Sequence, residues 1–317
     1  MLQYHYQVSD ASRVEIAPIT EADIPPVAQF LHTTMGSKVP VADWILAMTP
    51  SWSPVQPNHG YLLRYRGQVV GAYLALYSER IIDGRRHRFC NLGTWCVAEP
   101  HRAIGLRLLR ALLRQEGFTF TDLSPNPKIV ALNGRLGFAE LDTRRAVTLN
   151  TPWPLRSKGV QVIDTGTEIG RLISGRDRSI YLDHKAAAAV HHAVIVKGDR
   201  SCYVMFRKDY GRIQSRPTFA SVLYVGNRDM YRDCARHFYR YLLLRFRLPA
   251  TLAELRTVKH RPPRSVLMAG PPKMYRSEDL EAEQIDDLYS ELTCFGLQSR
   301  IHDYDSPVPV PRQARGS

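Results

Sequence analysis

A chain of 317 residues, 44% of them hydrophobic, is long enough to bury the cores of two domains. Its net charge of +13 suits an acidic partner (nucleic acid, an anionic membrane surface or a phosphorylated cofactor) and equally suits a plain basic, soluble surface. The five cysteines are widely spaced with no C-x-x-C pair, which argues against a disulfide or zinc framework, and no apolar run approaches the length of a membrane span.

Residues 1–13 are polar and lack the apolar centre of a secretory signal, so a cytoplasmic location is expected. Val14–Ile19 alternates as a strand. Thr20 then reads as an N-cap, with Asp23 three residues on in a partial capping box. The helix that follows runs to about Met35, bent or delayed by Pro25-Pro26. A second short helix is expected at Val41–Met48. Tyr61–Tyr65 and Val69–Tyr77 flank a turn at Arg66-Gly67, and a turn at Asp83-Gly84 leads on to Arg88–Val97. A loop feeds a helix from Ile104 to Gln115. Phe118–Leu123 is a strand, 126–138 a helix begun at Pro127, and Ala139–Leu149 a closing hairpin. The class is α/β (mixed α+β): antiparallel hairpins first, then a β-loop-α-β crossover.

The polar, proline-rich segment 151–159 reads as a linker. Beyond it, Ala193–Val196 and Cys202–Phe206 flank a turn at 197–199, Tyr210-Gly211 marks another turn, and Thr218–Val225 is a strand followed by a helix over 227–246. Hairpin, hairpin, strand and helix thus occur twice at similar spacing, the pattern of an internal duplication. A strand near Ser265–Met268, a helical stretch around Leu280–Leu292 and a disordered proline-rich tail complete the chain.

The most telling stretch is CVAEPHRAIGLRLLRALL, 96–113, where an apolar strand runs into a short loop and a leucine-rich helix. Such a junction leaves the first N–H groups of the helix open, and Arg102 and Gly105 stand where an anion would sit. Arg102-Ala103-Ile104-Gly105-Leu106-Arg107, followed downstream by Asn126, Asn133 and Leu136-Gly137-Phe138, resembles the two motifs of the GCN5-related N-acetyltransferase (GNAT) superfamily. The resemblance covers about 14–150. It implies the GNAT fold, a mostly antiparallel central sheet flanked by helices, with a second, degenerate GNAT-like domain over 160–304 and a tail at 305–317.

What the resemblance implies is transfer of an acetyl group from acetyl-CoA, as co-substrate, to a primary amine by direct attack. The loop residues Arg102, Ala103, Ile104, Gly105, Leu106 and Arg107 would hold the pyrophosphate, and Asn126, which also suits an N-cap, would lie in the CoA site. A backbone N–H near Cys96 or Val97 would stabilise the oxyanion. Two positions depart from the family pattern: Arg107 stands where it has Gly or Ala, and Asn133 where it often has Tyr. Asn cannot act as a general acid.

The candidate bases are Glu79, Glu99 and Asp122, with His101 and Ser124 also in view. Glu79 and Asp122 are more ordinarily surface groups, Cys96 a buried thiol, and Trp44, Trp52 and Trp95 core. His191-His192 lacks metal-site spacing, so no metal is expected. The helix at 230–248 reads as packing its apolar face on a sheet, with its arginines in water. The matching junction of the second half, Val225-Gly226-Asn227-Arg228, keeps one glycine and lacks the signature, so no CoA is expected there. The expected partner is a small-molecule amine, with an amino sugar favoured. No sequence-specific nucleic acid is expected, and peripheral membrane association and a homodimer stay open. A non-catalytic protein that senses acyl-CoA or another anionic ligand is the alternative.

Overall fold

The computed structural model describes residues 14–36, 39–52, 56–153, 159–211 and 216–294. The polar N-terminus, residues 154–158 of the linker and the proline-rich tail lie outside the described residues.

β1 (Glu15–Pro18) opens the first sheet. The Asp23 carboxylate accepts from the Thr20 N–H and hydroxyl (2.9 and 2.7 Å), which ties down the turn after β1. α1 (Ile24–Thr34) then starts late, with Pro25 and Pro26 in its first turn, where a missing N–H is no loss. α2 is Val41–Met48. β2 (Gly60–Tyr65), β3 (Gln68–Ile82) and β4 (Arg85–Val97) form a meander. Its turns set Arg66 and Gly67, then Asp83 and Gly84, at positive φ, the twist that two-residue hairpins need. A 3₁₀ turn over Glu99–Ile104 leads into α3 (Leu106–Leu113), followed by β5 (Thr119–Asp122), α4 (Pro127–Arg135), β6 (Ala139–Glu140) and β7 (Arg145–Leu149). Then come β8 (Val160–Ile163), α5 (Gly166–Leu172), α6 (Gly175–His184), β9 (Val190–Lys197), β10 (Arg200–Tyr210) and β11 (Pro217–Val225). α7 (Arg228–Phe246), β12 (Ala250–Glu254), α8 (Leu255–Val258), β13 (Val266–Met268), β14 (Met274–Arg276) and α9 (Glu291–Cys294) complete the described chain.

The strands form two seven-stranded sheets, ordered β1-β2-β3-β4-β5-β14-β6 and β8-β9-β10-β11-β12-β7-β13. The orders correspond strand for strand: a three-strand meander, a fourth strand, a parallel neighbour (β5 on β4, β12 on β11), then two antiparallel strands. The duplication expected from the spacing is therefore present in the topology. In the first unit, α1 and α2 cover one face of the sheet with Leu31 and Trp44 at the centre of that core, while α3 covers the other with Leu108, Leu109 and Leu112. In the second, α7 packs Tyr231, Phe238 and Leu242 onto its sheet, as expected for 230–248.

Three expectations are corrected. Ala139–Leu149 is not a hairpin. β6 lies in the first sheet beside β14, whose Tyr275 pairs with both Thr121 and Ala139, and β7 lies in the second between β12 and β13. β6 is two residues long, and Asp142 and Arg144, bonded to each other, carry the chain out of its sheet. The compact units accordingly do not follow a cut at 150–160: among the described residues, Asp183–Ala189 and 272–294 pack with the first, and Asp142–Leu182 with Val190–Pro271 forms the second. Nor is 280–292 a helix. It holds only a 3₁₀ turn at Ala282–Gln284 before α9, because its side chains bond elsewhere. Asp286 pairs with Arg80 (2.7 Å), Asp287 with Lys273 (2.6 Å), and the Ser290 hydroxyl donates to the Asp287 carbonyl (2.7 Å).

Candidate functional site

β4 and β5 pair in parallel over three positions only, ending at Asn91 opposite Thr121. Asn91 closes that end, its Nδ2 donating to the Thr121 carbonyl and hydroxyl (3.3 and 3.1 Å). Past it β4 continues to Val97, with a bulge at 93–94 against β3, while β5 gives way after Asp122 to Ser124, Pro125 and Asn126. The strands part there, and a cavity of about 540 Å³ fills the opening. Its walls are Gly93–Val97 on one side, Asp122 and Ser124–Asn126 on the other, with Tyr73, Arg102 and Gly105 among the remaining lining residues.

The backbone of β4 is open toward this cavity. The Ala98 N–H bonds to the Val70 carbonyl (2.9 Å), so in the alternation of an antiparallel ladder Cys96 also turns its N–H to β3, while Val97 and Trp95 turn theirs away. Of the two expected oxyanion donors, Val97 thus has the N–H on the open edge. The Cys96 thiol is half-buried; burial pushes it up, and Arg102 partly offsets that.

The junction after β4 is wound more tightly than a bare loop. His101 N–H bonds to the Ala98 carbonyl and Gly105 N–H to the Arg102 carbonyl (2.9 and 3.1 Å). Gly105 has an ordinary helical φ of −55°. Its value is room: a Cβ there would lie 3.1 Å from Val97 Cγ2 and 3.2 Å from the Arg102 carbonyl. Arg102 lines the cavity with its side chain 70% exposed. Ala103 and Arg107 point to solvent, so Arg107 does not crowd the glycine, and Ile104 and Leu106 pack into the core under α3. Asn126 both lines the cavity and caps α4, its Oδ1 accepting from Lys128 and Ile129 N–H (3.1 and 3.2 Å).

The three candidate bases separate clearly. Glu79 has a side chain 54% exposed and pairs with Arg86 (2.9 Å), and Glu99 has a side chain 84% exposed; neither lines the cavity. Asp122, read as an ordinary surface group, is 4% exposed and lies in the cavity wall. Its Oδ2 accepts from Asn133 Nδ2 (2.8 Å). Asn133 is itself buried, so the position where the family often has a tyrosine serves here to hold a carboxylate. Burial and then the negative charge of Glu291 push Asp122 up to about 7, against the opposing Asn133 and Ser124 hydrogen bonds. His101 packs against Tyr65 instead (5.2 Å between rings).

Tyr73, Trp95 and Glu291 were not visible as site residues in the sequence. Tyr73 and Trp95 face each other across β3 and β4 and stack at 4.7 Å. Burial first, then Asp122 and Glu291, push the Tyr73 phenol up, so it keeps its proton. Glu291 is buried and accepts from the Ser124 hydroxyl (2.6 Å). Among the described residues no helix is long and apolar enough to cross a membrane.

No family model matches the sequence, and no curated protein matches it. Solved structures do match in fold. A GCN5-related N-acetyltransferase from Anabaena variabilis aligns over 83% of this chain and 72% of its own, with 11% identity and a TM-score of 0.55. A probable N-acyltransferase from Enterococcus faecalis aligns over 85% and 74%, with 10% identity and a TM-score of 0.55. A GCN5-related glucosamine N-acetyltransferase region of a fungal multi-domain β-N-acetylglucosaminidase aligns over 83% of this chain and 38% of that one, with 11% identity and a TM-score of 0.52. The fold is the GNAT fold, present twice.

Proposed function

We propose that the protein is an N-acyltransferase that moves an acetyl group from acetyl-CoA to a primary amine, with Asp122 as general base. The observation that carries this is the wedge between β4 and β5, open-edged on one side and walled by a buried carboxyl on the other. The residues present fit a CoA-type ligand. The open N–H groups of β4 suit its amide chain, Gly105 lets the turn pack close against Val97 and the Arg102 carbonyl at the cavity wall, and Arg102 supplies charge for its phosphates. The bound thioester supplies the activated acyl group. Asp122, held by Asn133, takes a proton from the amine nitrogen as the new C–N bond forms. The Val97 N–H is the donor for the developing oxyanion. Tyr73, a protonated phenol in the cavity wall, would give its proton to the thiolate that leaves as the thioester C–S bond breaks, the part that Asn133 cannot play.

For the acceptor we favour a small-molecule amine, an amino sugar first, the class named for the fungal region of the same fold. The test is calorimetric titration of acetyl-CoA into wild type and Gly105→Trp, followed by an amine panel. Micromolar binding that the variant loses, with acetylation of an amino sugar, supports the reading. A folded wild type that binds no acetyl-CoA sinks it, and binding without turnover on any amine would turn it to the ligand-sensing alternative.

A further inference from the structure

A second carboxyl lies next to Asp122 and has no role in the transfer just described. Glu291, the first residue of α9, is 3% exposed. Its backbone N–H donates to Asn91 Oδ1 (3.2 Å), the residue that closes the last parallel pair of β4 and β5. Its Oε1 accepts from the hydroxyl of Ser124, a residue of the cavity wall (2.6 Å). Its Oε2 is buried with no hydrogen-bond partner among the described residues. A buried carboxylate oxygen without a hydrogen bond is costly, and the negative charge of Glu291 acts on buried Asp122 as well, so ionising both at once is disfavoured.

We propose that Glu291 is a positioning residue for this transfer: fixed by Ser124 and Asn91 beside the wedge, it places its carboxyl where its charge governs when Asp122 can act as a base. The inference rests on Asp122 being the base. The groups that face the pair are few. Tyr73 from β3, Asn133 from α4 and the Ser124 backbone face Asp122, and the charge of Glu291 acts on it. Glu291 meets Ser124, Asn91, the Cys294 thiol within α9, and the mutually paired Lys273 and Asp287 (2.6 Å), whose charges oppose each other. Each carboxyl is pushed up to about 7, by burial first. No proton leaves the pair for Glu291 to act: the amine's proton goes to Asp122, and ionised Glu291 makes Asp122 the stronger base.

The experiment is carbon-13 NMR titration of the carboxyl carbons in the full chain, with Asp122 assigned by its loss in Asp122→Asn. In wild type the Asp122 and Glu291 carbons should each show the other's inflection. In Glu291→Gln, Asp122 should titrate in one step, lower by about one pH unit, and the acid limb of the acetylation rate should move down with it. Independent titration in wild type, or an unmoved Asp122 in folded Glu291→Gln, overturns the inference whatever the activity. The wild-type arm stands even if the variant does not fold. An Asp122 that moves while the rate limb stays put overturns the inference too, and removes Asp122 as the base.

Discussion

In the first unit β4 reaches α3 through Ala98–Gly105; in the second β11 reaches α7 through Gly226 and Asn227 alone. The two connections occupy the same step of the same topology, each followed by a strand parallel to the one before it. In the first, an arginine stands in solvent at the mouth of a cavity. In the second, the Asp177 carboxylate lies against Gly226, where any Cβ would collide with it, and is held by the Tyr224 hydroxyl (2.7 Å). A carboxylate there supplies the negative charge that a helix N-terminus favours and repels a phosphate. One architecture thus carries a junction fit to receive an anion and another that already contains its own.

The sharpest way to break this contrast is to remove each unit's carboxyl in turn. Asp122→Asn should lower turnover by roughly 10²–10⁴-fold, the usual contribution of a positioned base, with the acetyl-CoA Kd unchanged by calorimetry. Asp177→Asn should leave turnover where it was. Equal losses in both variants would mean that the second unit takes part in the chemistry.

Ligand stoichiometry sharpens it further. Wild type should bind one acetyl-CoA per chain. Gly105→Trp should weaken that binding by more than about tenfold, since a large side chain must displace Val97 or the Arg102 carbonyl. Gly226→Ala should leave affinity intact and lower the melting temperature, because its Cβ meets Asp177. A second equivalent of bound acetyl-CoA in Asp177→Asn would show that the carboxylate alone had closed the second junction.

How much of this was legible follows from which interactions are local. The turns at Arg66-Gly67 and Asp83-Gly84, the cap at Asn126 and the glycine at 105 are set by neighbours in sequence, and the structure holds each of them. The places of β7 and β14 were not legible, because hairpin reading assumes that sequence neighbours pair, and here the chain leaves β6 for the other sheet. Asp122 sits in a four-residue strand, TFTD, that is buried throughout, so no polar–apolar alternation marks which side faces a site. Glu291 meets Ser124 across 167 positions of sequence, and its own segment reads as a helix only until the tertiary ion pairs of Asp286 and Asp287 are seen.

A smaller effect separates the units by pH. Burial pushes Asp122 and Glu291 each up to about 7 in the folded chain, from ordinary values of 3.8 and 4.5, so the folded chain holds protons that the unfolded chain has released. Their contribution to stability is fully present below about pH 4, falls as pH rises to about 7, and is level beyond. Glu291→Gln should therefore flatten the decline of melting temperature across that window. Parallel curves for wild type and variant would place the loss elsewhere, with half-buried Asp177, also pushed up, as the next carboxyl to replace.

The finest test compares two asparagine caps. Asn126 accepts from two N–H groups at the start of α4 and lines the cavity; Asn227 accepts from Met230 N–H (3.0 Å) at the start of α7. Replacing either by Ala should cost about 1 kcal/mol of stability, the ordinary worth of such a cap. The cost should look alike in denaturant midpoints, since both changes bare a helix end. Only Asn126→Ala should also weaken acetyl-CoA, by a few-fold, because only that cap borders the wedge. If Asn227→Ala weakened it equally, the loss would follow from general loosening, and the assignment of Asn126 to the cofactor site would fall with it.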